Sequence, residues 1–251
     1  MIQTNITLRE RCLLLTAEFE TGLGPPECYG RVAGNGDGQG ISFGVLQLNL
    51  GAGTLQPMLA HLMKEHRADL ASIFMDKMPI LALMSGEKRA SMAAAVGIQA
   101  KSTLPSGKVK WALPQDWIDA FAELGKLRAC QKLQIEAAGG YWRRALQLAR
   151  EYGLTSELGI AFMFDLAVQN WGIPTDVQDE IRLDYAAAGE LATDEEKMEI
   201  IAHRRAEACA PEFKADVLIR KLTIARGNGF AHGKSYTMAE YGLTANQATL
   251  A

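Results

Sequence analysis

The first clear pattern along the chain is a set of apolar residues at helical spacing: Leu8, Cys12, Leu15 and Phe19. This spacing predicts an amphipathic helix. Thr7 and Glu10 fit a capping box, because their side chains can satisfy free amides in the first turn. Gly22 and the pair Pro25-Pro26 are signals that end a helix. The pattern therefore places Glu20 at the C-terminal end of this helix.

A small β element is predicted next. Residues 30–40 are rich in glycine and predict a loop. Residues 41–50 alternate partly between apolar and polar positions, which predicts a short strand or hairpin. Helical periodicity returns over residues 55–74. We therefore expect one small β-hairpin or sheet at about 30–50, followed by a helical segment.

The second half of the chain has a mainly helical pattern from Asp116 onward. Gly153 and Pro174 are expected breaks, and residues 193–196 (TDEE) form a second capping box. The glycine-punctuated segment 225–242 is predicted to be irregular. Together these patterns predict a mainly α (α+β) fold.

The 251 residues are enough to bury a sizeable core. Segment 101–115 combines proline, glycine and serine, which makes it the best candidate for a connection between two lobes. We expect residues 1–251 to form a single domain of two lobes. The N-terminal lobe would cover about 1–100, and the helical lobe about 116–251.

Charge and hydropathy exclude several classes of partner. The net charge of -3 gives no basic excess for nucleic acid binding. The start of the chain has no apolar signal core, and Leu13–Leu15 is too short to span a bilayer. We therefore expect no signal peptide and no membrane insertion. The chain would be made in the cytoplasm and exported, if at all, by a dedicated machine or by lysis.

No cofactor or metal is expected. The glycines of residues 30–40 fit neither dinucleotide-binding nor phosphate-binding patterns. The same loop lacks the closing glutamate of a calcium loop, since Leu46 occupies that place. His61 and His66 do not have the spacing of zinc ligands on one helix. The four cysteines form no CxxC pair, and buried free thiols are preferred to disulfides as their interpretation.

Glu20 and Asp37 are candidate catalytic acids. Glycosidic cleavage needs one protonated carboxyl for the leaving oxygen and one ionised carboxyl to activate water. A glutamate at the negative end of a helix tends to keep its proton, whereas an aspartate among glycines tends to stay ionised. Glu18 is a rival for the acid role. It lies about 200° around the helix from Glu20, so both cannot face one cleft.

These residues resemble the signature of the family 46 chitosanases. Glu20-Thr21, Tyr29 and the run from Asp37 to Gly44 carry the resemblance, with Ser42 where that family has Thr or Ser. The run 42–49 (SFGVLQLN) is also similar to a motif of goose-type lysozymes and lytic transglycosylases. The resemblance implies the lysozyme-like fold, with the β element beside a cleft between the lobes. It also extends to phage-type lysozymes that degrade peptidoglycan.

The resemblance implies roles for individual residues. Glu20 would be the general acid and Asp37 the general base, and Ser42 would help hold the attacking water. Looser matches around residues 164–170, and the position of the β element, imply further substrate-binding residues: Tyr29, Gln47, Asn49, Thr54, Asn170 and Trp171. The N-terminal lobe would carry the catalytic residues.

Thr54 is a departure that bears on the substrate. Typical chitosanases carry an acid there, which pairs with the free amines of polyglucosamine. Its loss favours an N-acetylated polymer, of which peptidoglycan is the obvious example. The predicted function is therefore inverting endo-hydrolysis of β-1,4 bonds in an amino-sugar polymer.

Two alternatives to this function remain open. One is a chitosanase, with chitosan as the substrate, and the other is an inactive sugar-binding or phage structural protein. The expected partner is the polysaccharide substrate, and an immunity or secretion partner is left open.

Overall fold

The structure is a computed structural model that describes residues 6–249. Residues 1–5, which belong to the segment inspected for a signal sequence, lie outside this range. The described chain divides into two compact units. The middle unit is Glu20–Ala137, and the terminal unit combines residues 6–19 with 138–249.

The first helix, α1, spans Leu8–Thr21 and confirms the predicted start and end. The Thr7 hydroxyl accepts the Glu10 backbone N–H at 3.3 Å, and the Glu10 carboxylate accepts the Thr7 backbone N–H at 2.7 Å. Gly22 follows the helix with φ of +72°, a conformation that glycine adopts easily. Leu8–Phe19 belongs to the terminal unit, whereas Glu20 and Thr21 belong to the middle unit.

The middle unit contains the predicted small sheet, and it is antiparallel in the order β1-β2-β3. Its strands are β1 (Val32–Ala33), β2 (Ser42–Phe43) and β3 (Leu48–Asn49). The helices that follow are α2 (Gln56–Glu65), α3 (Arg67–Phe74), α4 (Met78–Met84) and α5 (Lys88–Gly97). A hairpin of β4 (Ala100–Thr103) and β5 (Val109–Ala112) precedes α6 (Gln115–Lys126) and α7 (Arg128–Ala137).

Aromatic rings form the centre of the middle unit's core. The Phe121 ring lies 4.9 Å from the Phe43 ring and 5.5 Å from the Phe74 ring, measured between centroids. Phe43 is on β2 and Phe121 is on α6, so this packing fixes the small sheet against the helices. Burial of such large apolar side chains contributes about 1.5–3 kcal/mol each to folding.

The terminal unit is built around α9 (Glu157–Asn170), which is buried at every position from Leu158 to Ala167. A helix that is apolar on all sides belongs in a core. The remaining elements are α8 (Gly139–Glu151), α10 (Thr175–Ala188), α11 (Asp194–Glu207), α12 (Lys214–Ala225), β6 (Asn228–Ala231) and β7 (Lys234–Thr237). The predicted capping box at Thr193 and Glu196 begins α11 and is confirmed.

Two segment predictions are corrected by the structure. Segment 225–242 is not irregular, because β6 and β7 pair as an antiparallel hairpin. Its turn residues His232 and Gly233 have φ of +49° and +81°, and turns with two such residues match the twist of paired strands. Segment 101–115 also contains a hairpin, and it lies inside the middle unit. The expected lobe boundaries, about 1–100 and 116–251, therefore differ from the observed units.

Two further features concern helix length. The predicted helical stretch 55–74 is interrupted at His66, where φ is -130° and ψ is 33°. Within residues 6–249 no helix has both the length and the apolar character needed to cross a bilayer. The mainly α, α+β fold class is confirmed.

Candidate active site

Glu20 is an exposed residue in the last turn of α1. The turn after it is shaped by Thr21, whose Oγ1 accepts the Leu23 backbone N–H at 3.1 Å. The Glu20 side chain is therefore presented at the open end of α1.

Glu18 is in a different environment. Its side chain is 15% exposed and forms an ion pair with Lys234, and it accepts a hydrogen bond from the Tyr241 hydroxyl. Burial opposes the charged form of Lys234, but Glu18 outweighs burial and raises the lysine pKa. Burial, aided by Glu18, raises the pKa of Tyr241, so its hydroxyl remains a donor. Glu18 thus has two fixed partners within the terminal unit.

Asp37 lies at the exposed tip of the loop that joins β1 and β2. Its Oδ1 accepts the Gln39 backbone N–H at 2.9 Å. The base of the loop is tied by the buried Asn35, whose Oδ1 accepts the Gly40 N–H at 2.7 Å and whose N–H donates to Gln99 Oε1 at 2.6 Å. The loop is therefore held at its base, which its glycine content did not predict.

Ser42 and Asn49 form the centre of the small sheet. They are paired in the register of β2 and β3, and Asn49 Nδ2 donates to Ser42 Oγ at 2.8 Å. Since the serine oxygen accepts this bond, its own proton stays available to another acceptor. The Asp37 loop meets the turn after β3, where the Gly51 N–H donates to the Gln39 carbonyl at 2.6 Å.

Thr54 closes that turn. Its Oγ1 accepts the Asn49 backbone N–H at 2.8 Å, and Asn49 Oδ1 accepts the Ala52 N–H at 2.9 Å. Thr54 is exposed and uncharged, and its hydroxyl also donates to the Asn49 carbonyl at 3.2 Å. Thr54 therefore holds the backbone that carries Asn49.

Gln47 and Tyr29 occupy less open positions. Gln47 has φ of +48°, and its Nε2 donates to the Gly44 carbonyl at 2.8 Å. Tyr29 lies in the 3₁₀ turn Glu27–Gly30, and only 7% of its surface is exposed. Its ring therefore packs in the middle unit and offers no open face for a sugar.

Asn170 and Trp171 belong to the terminal unit, whereas the other predicted site residues lie in the middle unit. Asn170 Oδ1 accepts a hydrogen bond from Arg205 at 2.9 Å. Trp171 is 57% exposed and ends α9 with φ of +61°, and its ring packs edge-on against Tyr141 at 5.5 Å. A left-handed conformation is uncommon for an aromatic residue, and an exposed indole is a good surface for stacking.

Gln134 is a residue of this region that the sequence did not reveal. Buried on α7, it accepts the Val45 N–H at 2.9 Å and donates to the Tyr29 carbonyl at 3.0 Å. It thereby joins the 3₁₀ turn to the segment after β2. No local motif marks such a residue, because its two partners are distant in sequence.

A second unpredicted feature is the buried ion cluster of the terminal unit. Asp165 on α9 is fully buried and contacts Arg220 and Lys221 of α12 at 2.6 Å each. Burial alone would raise the pKa of Asp165, but the two cations outweigh it and hold that pKa below its usual range. Burial lowers the pKa of Lys221 to about 8. The Arg220 guanidinium lies 4.7 Å over the Phe19 ring of α1, so the cluster connects three helices.

The cysteines are free thiols, as preferred from the sequence. Burial raises the pKa of the Cys12 thiol and raises the pKa of Cys130 to about 12, which makes both poor nucleophiles. Over the described part of the chain, no group of three or more His, Cys, Asp or Glu side chains could hold a metal ion.

Comparison with known proteins identifies the fold. No family model and no curated protein sequence matches the chain. Native chitosanase from Bacillus subtilis MY002 superposes with a TM-score of 0.53 at 13% identity, covering 94% of this chain and 99% of that one. A mutant of the chitosanase from the same source, complexed with 6 GlcN, gives 0.53 at 15% identity, covering 94% and 98%. A third chitosanase structure, also a complex, gives 0.55 at 16% identity, covering 94% and 99%.

The chain therefore has the α+β fold of the chitosanases. This agrees with the fold implied by the Glu20 to Gly44 segment. The resemblance to phage-type lysozymes stays a prediction.

Proposed function

We propose that this protein is an inverting endo-glycoside hydrolase that cleaves β-1,4 bonds of an amino-sugar polymer. One observation carries the proposal. Glu20 and Asp37 are both exposed in the middle unit, and the Asp37 loop is tied to the sheet that holds Ser42. The chitosanase fold supports the same chemistry.

The reaction assigns a separate task to each carboxyl. Glu20 donates its proton to the glycosidic oxygen as the bond from that oxygen to the anomeric carbon breaks. Asp37 accepts a proton from a water molecule, whose oxygen bonds to the anomeric carbon from the opposite face. Ser42 helps hold this water, because its oxygen is fixed by Asn49 while its proton remains available. Proton exchange with solvent then restores both carboxyls.

Glu18 is the weaker candidate for the acid role. Its carboxylate is held by Lys234 and by the Tyr241 hydroxyl and is only 15% exposed, whereas Glu20 is exposed at the end of α1. A general acid must reach the glycosidic oxygen, so this difference in exposure favours Glu20.

Peptidoglycan is the preferred substrate and chitosan the second. The neutral Thr54 hydroxyl is bonded to the Asn49 backbone, so this turn offers no carboxylate to a glucosamine ammonium group. The solved structure of a chitosanase with 6 GlcN supports the second candidate. Action on a cell wall would require export or lysis, and an immunity or secretion partner remains part of this proposal.

Product analysis tests the proposal. Purified peptidoglycan and chitosan are digested separately, products are identified by mass spectrometry, and the new anomer is followed by proton NMR. We expect reducing ends of inverted configuration from peptidoglycan, and product formation slower by roughly 10²-fold or more with Glu20→Gln. In a substrate complex the Glu20 and Asp37 carboxyls should be separated by roughly 6.5–9.5 Å or more.

Each contrary result has a distinct meaning. A 1,6-anhydro product, or retained configuration, would refute the role of Asp37. Cleavage of chitosan alone would establish the second substrate. Binding of either polymer without cleavage would favour an inactive sugar-binding or phage structural protein.

A further inference from the structure

The terminal unit contains a cavity that the proposed catalytic residues do not use. It has a volume of about 430 Å³ and is lined by side chains of α8 and α10 with the residue that follows α8. The lining residues are Arg144, Glu151, Tyr152, Gln178, Ile181, Arg182 and Tyr185. The volume is in the range of small-molecule sites.

Arg144 is the polar centre of the cavity. Its Nε donates to the Trp171 carbonyl at 3.0 Å, which fixes the plane of the guanidinium, and its side chain is 21% exposed. Its two terminal nitrogens donate no hydrogen bond to any residue within 6–249. Nη1 forms a long ion pair with Glu151, which also lines the cavity, at 3.8 Å. A guanidinium held at Nε presents two parallel N–H groups, which match the two oxygens of a carboxylate.

The remaining walls supply apolar surface and one more donor. Ile181 is fully buried beneath the cavity, and the rings of Tyr152 and Tyr185 pack edge-on at 6.4 Å. The Tyr152 hydroxyl forms no hydrogen bond with the described chain, and burial raises its pKa, so it stays protonated and can donate. Arg182 lies at the edge, where it donates to Gln178 at 3.3 Å and is paired with Asp179 at 2.7 Å.

We propose that this cavity binds a carboxylate carried by the substrate, with Arg144 as the bidentate partner and Tyr152 as a further donor. The inference rests on the proposed function and narrows its substrate class. Peptidoglycan carries carboxylates on its lactyl ether or peptide, whereas chitosan carries ammonium groups. Arg182 is already paired with Asp179 at 2.7 Å, whereas Nη1 of Arg144 lies 3.8 Å from Glu151 and can still donate to a carboxylate. An ammonium group offers Arg144 no acceptor. Ile181 and the tyrosine rings accommodate the methyl groups next to such carboxylates.

Calorimetry with small probes tests the site on the intact protein. The probes are muramyl dipeptide, the same molecule with its free carboxylate amidated, N-acetylmuramic acid and chitotriose. We expect amidation to weaken muramyl dipeptide binding by about tenfold to a hundredfold, the usual effect of losing a charge-assisted hydrogen bond. Comparison of muramyl dipeptide with N-acetylmuramic acid shows whether the peptide or the lactyl carboxylate is bound.

Matched variants locate the effect. Arg144→Gln should weaken muramyl dipeptide binding as much as amidation does, and amidation should then have no further effect. Arg144→Lys keeps the positive charge but loses the two parallel N–H groups of the guanidinium, so it should also weaken muramyl dipeptide binding. Tyr152→Phe should weaken it by roughly threefold to tenfold. Arg143→Gln is the control, because it removes the same charge from an exposed neighbouring position outside the cavity.

Two results would overturn the proposal. One is equal binding of the free and the amidated dipeptide to the unaltered protein, a measurement that needs no variant to fold. The other is equal binding by Arg144→Gln and Arg143→Gln. Carboxylate-dependent binding by a protein that cleaves no polymer would instead refute the hydrolase proposal while supporting the cavity. Cleavage of peptidoglycan by a protein whose muramyl dipeptide binding does not depend on the carboxylate would support the hydrolase proposal and refute the cavity proposal.

Discussion

Ser42 and Asn49 face each other across β2 and β3, and the Asn49 amide donates to the Ser42 oxygen at 2.8 Å. The same asparagine accepts the Ala52 N–H through Oδ1 and is held at its backbone N–H by Thr54. One side chain thus connects the turn after β3 to the hydroxyl proposed to hold the attacking water. The local backbone leaves Asn49 little freedom, so the orientation of Ser42 depends on it.

Asn49→Asp tests that dependence. The new side chain still accepts the Ala52 N–H, but it cannot donate to Ser42 and would take the serine proton instead. We expect kcat to fall roughly fivefold to tenfold, the effect of one lost hydrogen bond, with little change in KM. Ser42→Ala should have a similar effect, and the double variant should be no worse than either. Additive losses measured in steady-state kinetics would show that the two residues act separately.

Glu20→Gln should lower activity, whereas Glu18→Gln should lower stability. Glu20→Gln removes the proton donor and should lower kcat by roughly 10²- to 10⁴-fold while the protein stays folded. Glu18→Gln leaves Lys234 without its anion and should lower the melting temperature while retaining most activity. Kinetics and thermal melting on both variants check this. Loss of activity in Glu18→Gln alone would move the acid role to Glu18.

Asp165→Asn should destabilise the terminal unit strongly. The change leaves Arg220 and Lys221 buried without an anion, and breaking a buried ion pair in this way costs about 3–5 kcal/mol. Asp184→Asn is the matched control, since it removes the same charge from a more exposed pair with Arg204 and should have a small effect. Urea unfolding of the two variants measures the difference. Equal stability losses would contradict a structural role for the buried cluster.

The same cluster predicts an acid dependence of stability. Because the folded pKa of Asp165 is depressed, its contribution is complete above the unfolded value and is lost as pH falls below about 4. The free energy of unfolding of the unaltered protein should therefore decrease in this acid range. Asp165→Asn should show a shallower decrease over the same range, because it lacks this proton uptake. If the free energy of unfolding fell equally with pH in the two proteins, Asp165 would not be a source of the acid dependence.

Gly44→Ala should cost more stability than Gly107→Ala. Both glycines have a positive φ, +77° and +80°, so alanine is strained by a similar amount at each. A Cβ at Gly44 would lie 2.1 Å from Gln134 Oε1, whereas a Cβ at Gly107 would meet no atom within 4 Å. We expect about 1–2 kcal/mol for Gly107→Ala and clearly more for Gly44→Ala, measured by chemical unfolding. Equal losses would show that Gln134 moves aside without cost.

Local signals account for the elements that the sequence predicted correctly. The capping box at Thr7 and Glu10, the glycine after Thr21, and the second box at Thr193 and Glu196 all act within one helical turn. The short alternating pattern at 41–50 likewise produced the observed strands. The candidate acids Glu20 and Asp37 lie in one continuous stretch of sequence, and their roles stay a prediction.

Segment 225–242 shows where composition was misleading. Its glycines suggested an irregular end, yet His232 and Gly233 adopt the turn geometry that lets β6 and β7 pair. Strand pairing is decided by the register of two segments and by what covers them, and glycine content reports neither. The prolines and glycine of 101–115 were misread in the same way, as a connection between lobes, where the chain forms a second hairpin.

By itself the sequence determined the mainly helical class and the capped starts of α1 and α11, and it placed two candidate acids in one stretch. Only the tertiary structure decided which partners each side chain meets. In the folded protein Glu18 contacts Lys234 and Tyr241, Tyr29 is buried, and Gln134 accepts a hydrogen bond from Val45. Helix caps and apolar spacing act between residues a few positions apart, so they can be read along the chain. Ion pairs and buried hydrogen bonds join residues from 89 to 223 positions apart in these cases, and folding alone brings them together.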